Sequence, residues 1–206
     1  MNNYIYNCAE CKIHCDGKSK GVYNFENDVN VSEEKENRLI LEINKRNIVK
    51  ARKCTISGFP DVELLLNDKI VALMEVKFQR RTFMLVKKYL PESDLIPSET
   101  VALNQSDLLR YFDINKQEKM PFYIIWGLEK RPCILPDDNV MFFYQNIEKL
   151  EFIYNKYKDK RKYRRLSGSG DVVDGIHKGV LVNWHFSLAE LMPFNIDDFL
   201  SIIYKT

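Results

Sequence analysis

The stretch Gly58-Phe59-Pro60-Asp61-Val62-Glu63-Leu64-Leu65-Leu66, continued by Asn67-Asp68-Lys69 and Ile70-Val71-Ala72-Leu73-Met74-Glu75-Val76-Lys77, decides how the chain is read. Two apolar runs flank a short polar turn, the pattern of a β-hairpin. Asp61 opens the first strand. Glu75 and Lys77 end the second, two positions apart and therefore on one face. A three-residue loop from Asn67 to Lys69 would pair Leu66 with Ile70 and set Asp61 opposite Glu75. A two-residue loop would slip the register by one and part the two acids. The sequence reading therefore expects the three-residue loop.

Two carboxylates and a lysine converge at the end of an otherwise apolar hairpin. Neighbouring carboxylates repel, and a divalent cation relieves that repulsion. Oxygen ligands suit a hard ion such as Mg²⁺, or Mn²⁺, which keeps waters and takes phosphate oxygens as further ligands. Such an ion polarises a phosphodiester and acidifies an attacking water. Lys77 is placed to hold that water or to neutralise charge growing on phosphorus. The plain alternative is a surface hairpin that ends in a Glu-Lys pair.

Pro60-Asp61, a spacer, then Glu75-Val76-Lys77 resembles the signature of the PD-(D/E)xK nuclease superfamily, which includes restriction endonucleases and Holliday-junction resolvases. The resemblance covers roughly residues 32–128. It implies an α/β, restriction-endonuclease-like mixed sheet core of order αβββαβ flanked by helices, with Asp61, Glu75 and Lys77 catalytic and DNA as the partner. It further implies a glutamate at the metal from the helix before the hairpin, for which Glu36 stands, and a glutamine from a later helix, for which Gln105 stands. A solvated helix-start acid and a surface amide are the alternatives for these two.

Composition sets the outer limits. A chain of 206 residues, 45% hydrophobic and 29% charged, is ordinary for one globular domain. The net charge of +2 gives no global argument for nucleic acid, which must rest on local basic patches. No apolar run is long enough for a transmembrane helix, and the N-terminal residues lack a signal-peptide pattern. The expectation is a cytoplasmic protein without membrane attachment, with its thiols reduced.

Residues 1–25 carry Cys8, Cys11, His14 and Cys15, a spacing that suits a tetrahedral Zn²⁺ knuckle. His14 and Cys15 are adjacent, so three ligands come easily and a fourth does not. Cys54 is a distant candidate for the fourth. Free thiols in an N-terminal arm are the alternative, and an iron–sulfur cluster, found in some members of the superfamily, is a weaker one. The domain reading is a Cys-rich segment at 1–25, a nuclease core at 26–150 and a C-terminal extension at 151–206 packed on that core.

Ser32 reads as the N-cap of a helix whose first turn holds Glu33, Glu34 and Glu36 and whose stripe is Leu39, Ile40 and Ile43. Residues 48–56 read as a strand or turn. Arg80 and Arg81 follow the hairpin, where a phosphate backbone could pass, or else form a solvated basic turn. Residues 86–100, with two prolines and no clean period, read as a loop. A helix over 104–115 buries Leu108, Leu109 and Phe112. Residues 121–127 and 140–144 read as buried strands.

The last third holds the strongest basic patch, residues 155–165, with Lys156, Lys158, Lys160, Arg161, Lys162, Arg164 and Arg165 interleaved with Tyr154, Tyr157 and Tyr163. It reads as a DNA contact or as a solvated helix end. A strand over 180–186 and a closing helix over 196–203 follow. Three functions remain open: a Mg²⁺-dependent DNA endonuclease of restriction or phage type, a Holliday-junction resolvase working as a homodimer, and a non-catalytic zinc-containing nucleic-acid-binding module.

Overall fold

The computed structural model describes residues 25–79, 82–129, 131, 134–135, 140–164, 172–173, 176–177 and 182–205. In chain order the elements are α1 (Phe25–Asn44), β1 (Lys50–Lys53), β2 (Val62–Leu66), β3 (Lys69–Gln79), α2 (Val86–Tyr89), β4 (Thr100–Asn104), α3 (Gln105–Glu118), β5 (Phe122–Leu128), β6 (Met141–Asn146), α4 (Ile147–Tyr157), β7 (Lys162–Arg164), β8 (Val172–Val173), β9 (Ile176–His177), β10 (Val182–Ser187), β11 (Met192–Pro193) and α5 (Ile196–Tyr204).

The main sheet runs β1-β2-β3-β5-β6-β11. Only its β3–β5 pair is parallel, and the other pairings are antiparallel. A parallel pair needs a crossover long enough to return the chain to the same end. Here α3 lies in that crossover. Phe122 to Leu128 of β5 are all buried, as a strand covered on both faces requires. The order α1-β1-β2-β3-α3-β5 is thus present, interrupted by residues 82–104. The protein is a mixed α/β fold whose mixed sheet is flanked by helices.

Period-2 alternation sorts the strand residues into two cores. On one face Leu73, Ile124, Trp126 and Leu128 meet Leu108, Tyr111 and Phe112 of α3, Leu150 and Ile153 of α4, and Trp184 and Phe186 of β10. On the other, Ala72, Met74, Val76, Tyr123 and Ile125 meet Leu39 and Ile43 of α1 and Phe199, Leu200 and Ile203 of α5. Burying one such aromatic or aliphatic side chain contributes about 1.5–3 kcal/mol. Residues beyond 150 therefore build both cores. Asn146 caps α4 by accepting from the Glu148 N–H at 2.8 Å, and Asn195 caps α5 by accepting from Asp197 and Asp198.

The hairpin turns differently from the sequence reading. The loop has two residues, not three: Leu66 pairs with Lys69, and Asn67 and Asp68 both have positive φ, 50° and 62°. That is the mark of a two-residue turn whose twist matches the strands. Taken alone it would part Asp61 from Glu75. A bulge compensates. Leu65 pairs with Ile70 but Leu64 pairs with Ala72, so Val71 is the extra residue. Beyond it the register runs Glu63 with Leu73 and Val62 with Met74, which brings Asp61 back opposite Glu75.

Other expectations are corrected. The first helix starts at Phe25, so Ser32 lies inside it and is not its N-cap. The loop expected over 86–100 contains the short α2 and leads into β4. β4 joins a second sheet of order β4-β10-β7 that the sequence reading did not foresee. Leu109 is exposed, and Tyr111 takes the buried position on α3 instead. Among the described residues, no helix is long and apolar enough to cross a membrane.

Candidate active site

The restored register brings Asp61 and Glu75 together. The Glu75 carboxylate accepts from the Asp61 backbone N–H at 3.2 Å. The Asp61 carboxylate in turn accepts from the Val76 N–H at 3.0 Å. Each acid is thus fixed by the backbone beside the other, with oxygen lone pairs to spare. Lys77, two positions along β3, forms an ion pair with Glu75. The parallel ladder sets Lys77 beside Trp126.

Glu75 is buried at 1% exposure. Burial is the largest influence on its carboxyl. Lys77 offsets part of it, Asp61 adds to it, and the result is pushed up from 4.5 to about 7. Tyr111 on α3 acts on Glu75, its hydroxyl lowering the Glu75 pKa, and burial together with Glu75 raises the phenol's own pKa. Burial pulls the Lys77 ammonium down, but Glu75 and Asp61 outweigh it and hold its pKa above the ordinary value. Lys77 therefore keeps its charge at neutral pH.

Glu36 lies on the α1 side. Its pKa is raised by burial first and by Asp61 second, against Lys53. Lys53 bridges Glu36 at 3.4 Å and Glu33 at 3.1 Å. Glu36 thus senses Asp61 electrostatically, while its nearest ionic partner is Lys53. On the α3 side Asp107 acts on Lys77 and Tyr111 and pairs with Arg110 at 2.9 Å. Neither Tyr111 nor Asp107 was singled out from the sequence. The only signal for them is helical spacing on the face that carries Leu108.

The Gln105 amide donates to the Tyr154 hydroxyl at 2.8 Å, tying α3 to α4. Gln79, on the Glu75 face, uses its amide as a strand would. It donates to the Ala102 carbonyl at 2.6 Å and accepts from the Ala102 N–H at 3.2 Å. In this way the end of β3 is joined to β4.

The basic patch divides. Arg161 is buried at 1% exposure, bonds Glu190 at 2.6 Å and stacks 3.6 Å from the Tyr157 ring. This corrects its assignment to a DNA-facing surface. Its guanidinium holds the turn after β10, where Glu190 also accepts from the Ser187 N–H. Lys160, Lys162 and Arg164 are exposed, and Lys162 lies 3.3 Å from Asp159. Arg80, Arg81, Arg165, Cys8, Cys11, His14 and Cys15 lie outside the described residues.

Among the described residues, no three His, Cys, Asp or Glu side chains converge as metal ligands. Glu36 does not complete a three-carboxylate cluster. The Asp61–Glu75 pair alone still has the donor chemistry of Mg²⁺ or Mn²⁺, which take one or two protein carboxylates and fill the rest with water and phosphate oxygens. Burial first, and Asp61 beside it, make Glu75 costly to ionise, a cost that a cation held between the two acids would offset.

No family model matches the sequence, and no curated protein matches it. Among solved structures the chain is similar to Hjc, a Holliday junction resolvase from the archaeal hyperthermophile Archaeoglobus fulgidus. The TM-score is 0.44 at 9% identity, over 82% of this chain and 95% of that one.

Proposed function

We propose that this chain is a metal-dependent deoxyribonuclease that hydrolyses phosphodiester bonds. The supporting observation is the interlocked Asp61–Glu75 pair, each acid hydrogen-bonded to backbone beside the other, with Lys77 paired to Glu75. Asp61 and Glu75 are the residues that would hold Mg²⁺ or Mn²⁺, and the bound ion would supply Lewis-acid polarisation of the phosphate and a more acidic water. Lys77, permanently charged here, orients that water and neutralises charge that develops on the phosphate oxygens. Tyr111 favours the ionised Glu75 carboxylate from α3, and Glu36 adds negative potential on the Asp61 side. The exposed Lys160, Lys162 and Arg164 give the DNA backbone a place to lie.

The test is incubation with supercoiled plasmid, a four-way junction and single-stranded DNA, each with Mg²⁺ and with chelator. Cleavage that requires the cation supports the reading. Discrete plasmid fragments specify a restriction-type enzyme, and paired nicks at the junction specify a resolvase, for which a homodimer in gel filtration is then expected. Binding without cleavage of any substrate overturns the nuclease reading in favour of a binding module. Elemental analysis of the purified full chain tests whether Cys8, Cys11, His14 and Cys15 hold zinc.

A further inference from the structure

The second sheet hangs on the end of β3 and finishes in an edge of its own. Gln79, two positions past Lys77, bonds both backbone groups of Ala102 on β4. Ala102 faces His185 on β10, and Asn183, two positions back on β10, faces Tyr163 on β7. β7 is the outer strand of that sheet. Strand spacing and residue rise put Tyr163 about 10 Å across the sheet and about 7 Å along it from Ala102.

Tyr163 is half-buried and packs against the cluster of Val86, Leu90 and Leu95. Tyr89 of α2 lies on its ring, with centroids 4.7 Å apart and planes inclined by 31°. Tyr89 is itself 42% exposed and takes no part in that cluster, which Val86 and Leu90 build from the inner side of α2. Leaving so large a ring in water forgoes the burial its area offers. Cations surround the pair. Lys87 and Lys88 are exposed beside Tyr89, and the Lys88 ammonium lies 5.8 Å from the centre of the Tyr89 ring. On β7 the exposed Lys162 and Arg164 stand one position to either side of Tyr163. Successive strand residues point to opposite faces, so this edge carries a ring on one face and cations on the other. Asp159 engages Lys162 at 3.3 Å, an exposed pair that contributes little to stability and exchanges readily for a phosphate.

A duplex keeps its bases stacked on one another and shows a protein its phosphates and base edges. An exposed ring pair has nothing to stack on there. An unpaired strand offers the flat face of every base, and its backbone follows a cationic track. The geometry points to the Tyr89–Tyr163 pair as a stacking platform for an unpaired base, with Lys87, Lys88, Lys162 and Arg164 holding the adjoining phosphates. It gives the nuclease reading a structural class of substrate: DNA with a single-stranded segment, such as a flap, gap or tail. That extension rests on the nuclease reading, whereas the binding does not.

Fluorescence anisotropy in chelator measures binding of the full chain to a labelled single-stranded oligothymidylate, to a duplex of the same length and to an abasic strand with the same phosphates. Tyr89→Ala should weaken oligothymidylate binding about tenfold. It should leave the duplex and the abasic strand within about twofold and the salt slope unchanged. Tyr89→Phe keeps the ring and should bind as the wild type does. Lys88→Ala should instead lower the salt slope on the single strand by about 0.7. Circular dichroism checks the fold, and Tyr89→Leu replaces Tyr89→Ala if the latter unfolds. A wild type that binds oligothymidylate no tighter than the abasic strand overturns the platform, as does a Tyr89→Ala loss that is equal on all three ligands. The nuclease reading fails separately. If no DNA is cleaved with Mg²⁺ or Mn²⁺ while single-strand binding still depends on the Tyr89 ring, that reading and the substrate class fall and the platform stands.

Discussion

Glu75→Gln should stabilise the fold while it destroys the site. Glu75 is almost wholly buried, and its carboxyl is raised from 4.5 to about 7. The cost of its charge is therefore absent below pH 4.5, grows as the pH rises, and is fully in place above about pH 7. The gap between 4.5 and about 7 corresponds to about 3 kcal/mol. Glutamine keeps the shape and one oxygen for the Asp61 N–H but carries no charge. In a chain of this size 1 kcal/mol moves Tm by about 2–4 °C. At pH 8 without divalent cation the variant should melt about 6 °C or more above the wild type. At pH 5 the wild-type acid already carries its proton, and the difference should shrink to under about 1 kcal/mol. Added Mg²⁺ should stabilise the wild type and leave the variant unmoved. Differential scanning calorimetry at the two pH values, with and without Mg²⁺, reads all of this. A variant less stable than the wild type at pH 8, or equally stabilised by Mg²⁺, refutes the reasoning.

Lys77→Ala should lower DNA cleavage about a hundredfold or more and leave DNA binding within a few-fold, read by parallel cleavage and gel-shift titrations. His185 is buried, and burial drives its pKa down to about 4 although the Arg161 carbonyl partly opposes this. Its share of stability is therefore complete above pH 6.5 and lost as the pH falls towards 4. His185→Gln should remove up to about 3 kcal/mol of that acid sensitivity, measured by urea unfolding between pH 7 and 4. Gly127→Ala should destabilise by about 1–3 kcal/mol, because a Cβ there collides with the Phe78 ring and stands 3.0 Å from Phe142. Urea denaturation checks it, and restored stability in Gly127→Ala with Phe78→Leu identifies the clash.

The hairpin shows what a sequence can and cannot disclose. The two-residue period of a strand put Glu75 and Lys77 on one face, and the cores sort their neighbours to match, Leu73 into one and Met74 and Val76 into the other. The opposition of Asp61 and Glu75 was legible too, but the route to it was not. A bulge at Val71 leaves no compositional trace, since valine suits a strand whether it is paired or not. The Asn67-Asp68 pair tolerates positive φ and was the available hint of a two-residue turn.

Long apolar runs such as Phe122 to Leu128 read easily because burial on both faces permits little else. The Thr100–Asn104 strand did not, because its partner β10 lies far along the chain and its own residues show no period. Arg161 was misread for a related reason. Within a run of lysines nothing local marks the one guanidinium that Glu190 and Tyr157 bury. Tyr111 and Asp107 were missed because helical spacing tells which face looks inward but not which acid that face will meet.

The account depends on one cation held jointly by Asp61 and Glu75. Electron paramagnetic resonance titration of Mn²⁺ into the wild type, Asp61→Asn and Glu75→Gln tests this without any substrate. The account predicts a bound-ion fraction in the wild type that either substitution lowers at least tenfold in affinity. Identical Mn²⁺ binding by all three proteins would contradict it.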